Sequence, residues 1–168
     1  IPNPGPCGAG YVVRFQGQAS YSAYCKYMGI GDNNKGEMGA IHGALVALEE
    51  AIGTGVIAPK SLFVLFSDSA ICVGYLEQGW AFTTWTELAH ATRALLRRVR
   101  KVVKVVLYWV RGHKGIPGNE EADVATDKGV KAGGDGAITT DFIATKVDFR
   151  LECGTTACPV ETPAARPQ

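Results

Sequence analysis

Three acidic side chains occupy positions that packing alone does not require. Glu37 opens a long helical pattern beside its apolar stripe, Asp68 follows the apolar run LFVLF, and Asp123 comes one helical turn after Asn119. Carboxylates are hard oxygen ligands, the type that holds Mg²⁺. Taken singly, each has an ordinary explanation. Glu37 and Asp123 are placed to complement helix dipoles, and Asp68 is placed to cap the helix after it. His113 stands in a glycine-flanked loop, RGHKGIPGN, shortly before Asp123, whereas His42 and His90 fall within helices and are assigned no role. There is no G-x-x-x-x-G-K-[ST] and no G-x-S-x-G, so neither a phosphate-loop NTPase nor a serine hydrolase finds support.

The elements that must position these groups follow from local pattern. Residues 1–10 (IPNPGPCGAG) read as a turn-rich loop. Residues 11–16 and 19–28 are rich in β-branched and aromatic residues around Gly17 and predict an antiparallel hairpin. A helix over 35–52 follows, with Met38, Ile41, Leu45, Leu48 and Ile52 on one face and Gly53 and Gly55 ending it. The continuous apolar run at 61–66 predicts a buried, parallel strand, and 102–110, interrupted by Lys104, predicts another strand. Between them lie helices over 70–77 and 84–100, broken at Gly79. A short helix over 119–130, capped by Asn119 with Glu120 and Glu121 in its first turn, completes the order β-β-α-β-α-α-β-α. That order argues for an α/β sheet with a hairpin at one side. Residues 132–168 form a separate C-terminal extension: 139–151 are strand-like, and the Pro/Ala/Thr-rich end reads as a disordered tail.

Three segments in this order, DNNKGEMGAIHGALVAL, LFVLFSDSA and WVRGHKGIPGNEEADVAT, resemble the type I ribonuclease H family. GHKGIPGNEEAD is similar to that family's C-terminal signature, and NPGPCGAGYVV to its first hairpin loop. The resemblance covers residues 1–131 and is closest to the domains attached to retroelement reverse transcriptases. It implies a ribonuclease H-like mixed five-stranded sheet, hairpin plus parallel strands, flanked by helices. It also implies endonucleolytic hydrolysis of the RNA strand of RNA–DNA hybrids with two divalent ions, Mg²⁺ or alternatively Mn²⁺. By the same resemblance, Glu37, Asp68 and Asp123 are the metal ligands and, with His113 assisting proton transfer or product release, the catalytic set. Asn33 and Asn34 would reach the minor groove, Ser69 and Asn119 the backbone, and Trp80 a DNA sugar or base. The ordinary readings are turn asparagines for the first pair and a helix cap for Ser69. The implied partners are the hybrid itself and a covalently linked reverse transcriptase domain.

The family pattern carries a fourth carboxylate at the end of its first strand, whereas this sequence starts at Ile1 inside the following loop. The expectation is therefore an absent first central strand, two sheet halves and severely reduced cleavage, unless the natural protein extends upstream. The alternative function is a catalytically impaired nucleic-acid-binding or structural module. Asp135-Gly136-Ala137 resembles the missing turn only superficially, because KAGG before it is no strand; the strand-like stretch 139–151 is an alternative occupant of the slot.

Composition sets the outer bounds. The chain has 168 residues, 46% hydrophobic and 20% charged, which suits one globular domain and excludes disorder throughout. A net charge of +1 excludes a uniformly basic coat. It permits a local patch, and Arg93, Arg97, Arg98, Arg100, Lys101 and Lys104 read equally as a solvated helix face or as a phosphate-tracking surface. Trp80, Trp85 and Trp109 read mainly as core residues. No apolar run approaches the ~20 residues that span a bilayer, so no membrane association is expected. The five cysteines are irregularly spaced and Cys153/Cys158 lacks a second pair, which favours free thiols in a reducing, intracellular compartment, cytoplasm or nucleus.

Overall fold

The structure is a computed structural model that describes residues 4–15, 22–132 and 143–145. Five strands and four helices occur among them in the order β1 (Gly5–Val13), β2 (Ser22–Gly31), α1 (Asn33–Gly53), β3 (Leu62–Ser67), α2 (Ala70–Gln78), α3 (Thr86–Val99), β4 (Lys104–Trp109), α4 (Pro117–Ala132) and β5 (Ile143–Thr145). The α/β order expected from the sequence is present.

β1 and β2 form the antiparallel hairpin, with a register shift at Cys7/Gly8. β1 begins at Gly5, where turn chemistry had predicted a loop. Its glycines serve packing instead: a Cβ on Gly8 would lie 2.8 Å from Thr126 O, and one on Gly10 2.6 Å from Ala122 O. Bare backbone is what lets α4 lie directly on this strand.

β3 and β4 pair in parallel, from Leu62↔Lys104 to Ser67↔Trp109. Among the described residues the strands fall into two sheets, β1-β2-β5 and β3-β4, so β1 and β3 do not pair. The strand-like C-terminal stretch contributes Ile143–Thr145, which pairs with the outer edge of β2 rather than between the two sheets. The Asp135 turn, Cys153 and Cys158, and the tail beyond 145 lie outside the described residues.

α1 packs against the hairpin and α3, and buries Met38, Ile41, Leu45 and Leu48 as the periodicity predicts. Leu95, Leu96 and Val99 of α3 and Leu65, Val105 and Leu107 of the parallel pair complete the core. β3 is not buried on both faces, contrary to its continuous apolar pattern. Leu65 and Ser67 face the core, whereas Leu62 and Phe66 are 61% and 49% exposed. No described helix is long and apolar enough to cross a membrane.

Candidate active site

The first carboxylate is set by a helix cap. The Asp32 side chain accepts from Lys35 N at 3.0 Å and starts α1 at Asn33, two residues earlier than periodicity suggested. Glu37 therefore sits in the second turn, and the dipole explanation for it lapses. It is held among other acids: burial first, then the charges of Asp68 and Asp123, push its carboxyl up to about 7.

Asp68 sits at the C-terminal end of β3, fixed from two sides. Its carbonyl accepts from Trp109 Nε1 at 2.9 Å, and its Oδ2 accepts from Asn119 Nδ2 at 3.3 Å. Gly112 lies close beside it: a Cβ there would press on the Asp68 carboxylate and force it to shift. Ser69, not Asp68, caps α2, accepting from Cys72 N at 3.2 Å. That hydroxyl is already committed to the cap.

Asp123 projects from α4. Its Oδ2 is buried and makes no hydrogen bond; His113 Nδ1 lies beside it at 3.3 Å, an ion pair only when the ring is protonated. Burial and then Asp68 raise its carboxyl, with His113 acting in the opposite sense. His113 is 82% exposed, in a left-handed conformation (φ 53°) in the loop before α4. A third group joins these two: ligand atoms of His113, Glu120 and Asp123 lie within 4.8 Å of one another. Glu120 Oε1 also accepts from Gly115 N at 3.2 Å, pinning the loop.

A family model described as RNase H matches residues 1–131. The chain belongs to the ribonuclease H family. A ribonuclease H of Dechloromonas aromatica is 31% identical over 134 residues, covering 77% of this chain and 86% of the relative. One of Rhizobium etli is 32% identical over 130 residues, covering 77% and 84%. A solved RNase H1 from Halobacterium salinarum aligns with a TM-score of 0.48 at 16% identity, over 74% of this chain and 96% of that one. Membership makes this a ribonuclease H-type enzyme, with the family's general activity on RNA–DNA hybrids and its general use of divalent metal ions.

Within this ribonuclease H domain, the residues expected at the site separate. Glu37, Asp68 and Asp123 come from three elements and feel one another's charge. Asn33 and Asn34 open α1, and no hydrogen bond occupies their side chains among the described residues. Asn119 is not a helix cap; α4 starts at Pro117, a position that suits proline's missing N–H. Its side chain is spent on Asp68 rather than left open to a backbone. Trp80 is not an open platform either: it packs so closely on Gly74 that a Cβ there would land in the indole ring. Trp85, read as core, is the exposed one (38%). Its Nε1 donates to Asp32 Oδ1 at 2.9 Å, and Lys35 Nζ sits 4.5 Å from its ring centroid. Glu120 was legible only as a dipole partner, although its i, i+3 spacing from Asp123 was the available signal.

Proposed function

We propose that this domain cuts the RNA strand of RNA–DNA hybrids endonucleolytically by a two-metal mechanism, with Mg²⁺ or Mn²⁺ held by Glu37, Asp68 and Asp123. The observation that carries this reading is the buried Oδ2 of Asp123, which makes no hydrogen bond and lies in the field of further carboxylates, Asp68 foremost. A buried carboxylate oxygen that makes no hydrogen bond and has only an imidazole beside it is relieved by a cation. Divalent ions bound there would orient the attacking water and stabilise the leaving 3′ oxygen.

The chain's own groups do the rest. Asn119 and the Trp109 indole fix the Asp68 carboxylate and its backbone. His113, exposed and beside Asp123, is placed to carry a proton to or from the leaving oxygen. Asn33 and Asn34, at the lip of α1, offer donors and acceptors for the minor groove, where the 2′-OH distinguishes RNA from DNA. A retroelement parent with a linked reverse transcriptase, and a reducing intracellular location, belong to the same proposal. The closeness of the sequence motifs supports the first, and the free thiols of Cys7 and Cys72 support the second.

A second reading, an impaired nucleic-acid-binding module, is favoured by one observation. Among the described residues, the ligand atoms that gather within 4.8 Å of one another belong to His113, Glu120 and Asp123, and Glu37 and Asp68 are not in that group. Cleavage of matched hybrid, duplex RNA and duplex DNA in Mg²⁺ separates the two readings. The proposal expects cutting of the hybrid alone; binding without any cutting supports the second reading.

A further inference from the structure

β3 and β4 run in parallel, so their N-terminal ends meet at the end of the sheet opposite Asp68. Lys60 N donates to Val102 O at 2.8 Å and Lys104 N to Ser61 O at 2.9 Å, carrying the ladder past the strand ends. Lys60 is held there at φ +67°, a left-handed conformation unusual outside glycine. An open depression of about 520 Å³ lies at this end, lined by Lys60, Arg100, Lys101 and Lys104 with Val102, Val103 and Val105. Arg100 is anchored, donating from Nε to Val105 O at 3.1 Å and pairing with Glu77. Lys60, Lys101 and Lys104 are exposed and have no acidic partner among the described residues.

One face of the parallel pair leads from this depression toward the carboxylates. Strand alternation puts Leu62, Val64 and Phe66 on it, in register with Lys104, Val106 and Tyr108. Phe66 and Tyr108 stack at 5.9 Å between centroids, at the end where Asp68 follows. The face is six residues long, about 20 Å at strand rise. Unpaired cations at one end and a stacked aromatic pair at the other match what a single-stranded nucleic acid asks of a protein: charge for phosphates and π-faces for bases.

We propose that this face binds single-stranded polynucleotide, its bases over Phe66 and Tyr108 and its phosphates at Lys60, Lys101 and Lys104. The strand is the portion of a substrate that continues past the carboxylates, and only this last identification rests on the hybrid-cleavage reading. The site positions a strand and adds no base specificity.

The test is fluorescence anisotropy with a labelled 12-nucleotide RNA, a DNA of the same sequence and inorganic polyphosphate as competitor. The full chain carries Asp68→Asn, so that nothing is cut. Each phosphate contact on a single strand contributes about 0.7 to the slope of log affinity against log salt. Replacing Lys60, Lys101 and Lys104 together by Gln should lower that slope by about 2. Phe66→Ser should weaken binding about tenfold with the slope unchanged. With Asp68 intact, the triple Lys variant should cut a short blunt hybrid at the unaltered rate. Unchanged affinity and slope in the triple variant would overturn the proposal. So would polyphosphate displacing the RNA while Phe66→Ser has no effect, which makes this an anion site alone, or binding that appears only when residues 146–168 are deleted. Loss of all hybrid cleavage with single-strand binding retained would sink the hydrolytic reading and leave this one standing.

Discussion

The two ends of the β3–β4 pair carry opposite charge, and they are built differently. At the C-terminal end, Glu37, Asp68 and Asp123 arrive from three separate elements, and Asp68 is held by a dedicated hydrogen bond from Asn119. At the N-terminal end, Arg100, Lys101 and Lys104 come from one short stretch, and Lys60 joins them through a backbone contact. Bond cleavage needs groups fixed to a fraction of an ångström, which requires convergence and support. Attraction of a phosphate chain needs only density of charge. The acidic end should therefore be intolerant of small changes and the basic end graded in its response.

The largest effect is expected at the acidic end. Asp123→Ala should reduce Mg²⁺-dependent hybrid cleavage to background while far-ultraviolet circular dichroism shows an intact fold; comparable activity in the variant would contradict the ligand assignment. Asn119→Ala comes next. Groups that orient metal ligands typically contribute about 10- to 100-fold, and a loss of that size should appear, recovered in part at high Mg²⁺.

A third prediction concerns stability. Glu37 has a folded pKa of about 7 against an ordinary 4.5, so the folded state binds its proton more tightly than the unfolded one. Its contribution is fully present below pH 4.5 and is lost as pH rises through 7. In chelator, the protein should lose up to about 3 kcal/mol over that range. Glu37→Gln should then melt higher than wild type at pH 8 and equally at pH 4. Equal melting at both values would show that the carboxylate is not strained by its neighbours. The smallest effect is expected at the rim of the acidic end. Trp85→Leu removes the Asp32 hydrogen bond and the Lys35 contact, and denaturant titration should show a cost of about 1 kcal/mol.

Much of this was legible in the sequence. Period and apolar run length located α1, α2, α3 and the parallel pair, because those patterns report burial directly. The start of β1 was not, since Gly8 and Gly10 signal turns locally and only the approach of α4 explains them as strand residues. The three carboxylates stood out by motif. Glu120 and the true role of Asn119 did not, because each depends on how the His113 loop and α4 lie against Asp68. The tryptophans show the same limit: which indole is covered, Trp80 over Gly74, and which is exposed, Trp85, is decided by contacts far from either side chain's own helix pattern. The basic run looked uniform. In the fold, Arg93 stacks on Tyr75, Arg98 pairs with Glu49 and Arg100 with Glu77, which leaves Arg97, Lys101 and Lys104 of the run without an acidic partner among the described residues; Lys60, from outside the run, joins the two lysines at the depression.

The central claim is that hydrolysis depends on the carboxylates at the C-terminal end of β3. Its most direct test is single-turnover cleavage of an end-labelled RNA–DNA hybrid, with protein in excess, comparing wild type and Asp68→Asn with Mg²⁺ and with chelator. Cleavage of the RNA strand that requires Mg²⁺ and disappears in Asp68→Asn is the predicted result. Cleavage that persists in Asp68→Asn, or that proceeds in chelator, would contradict it.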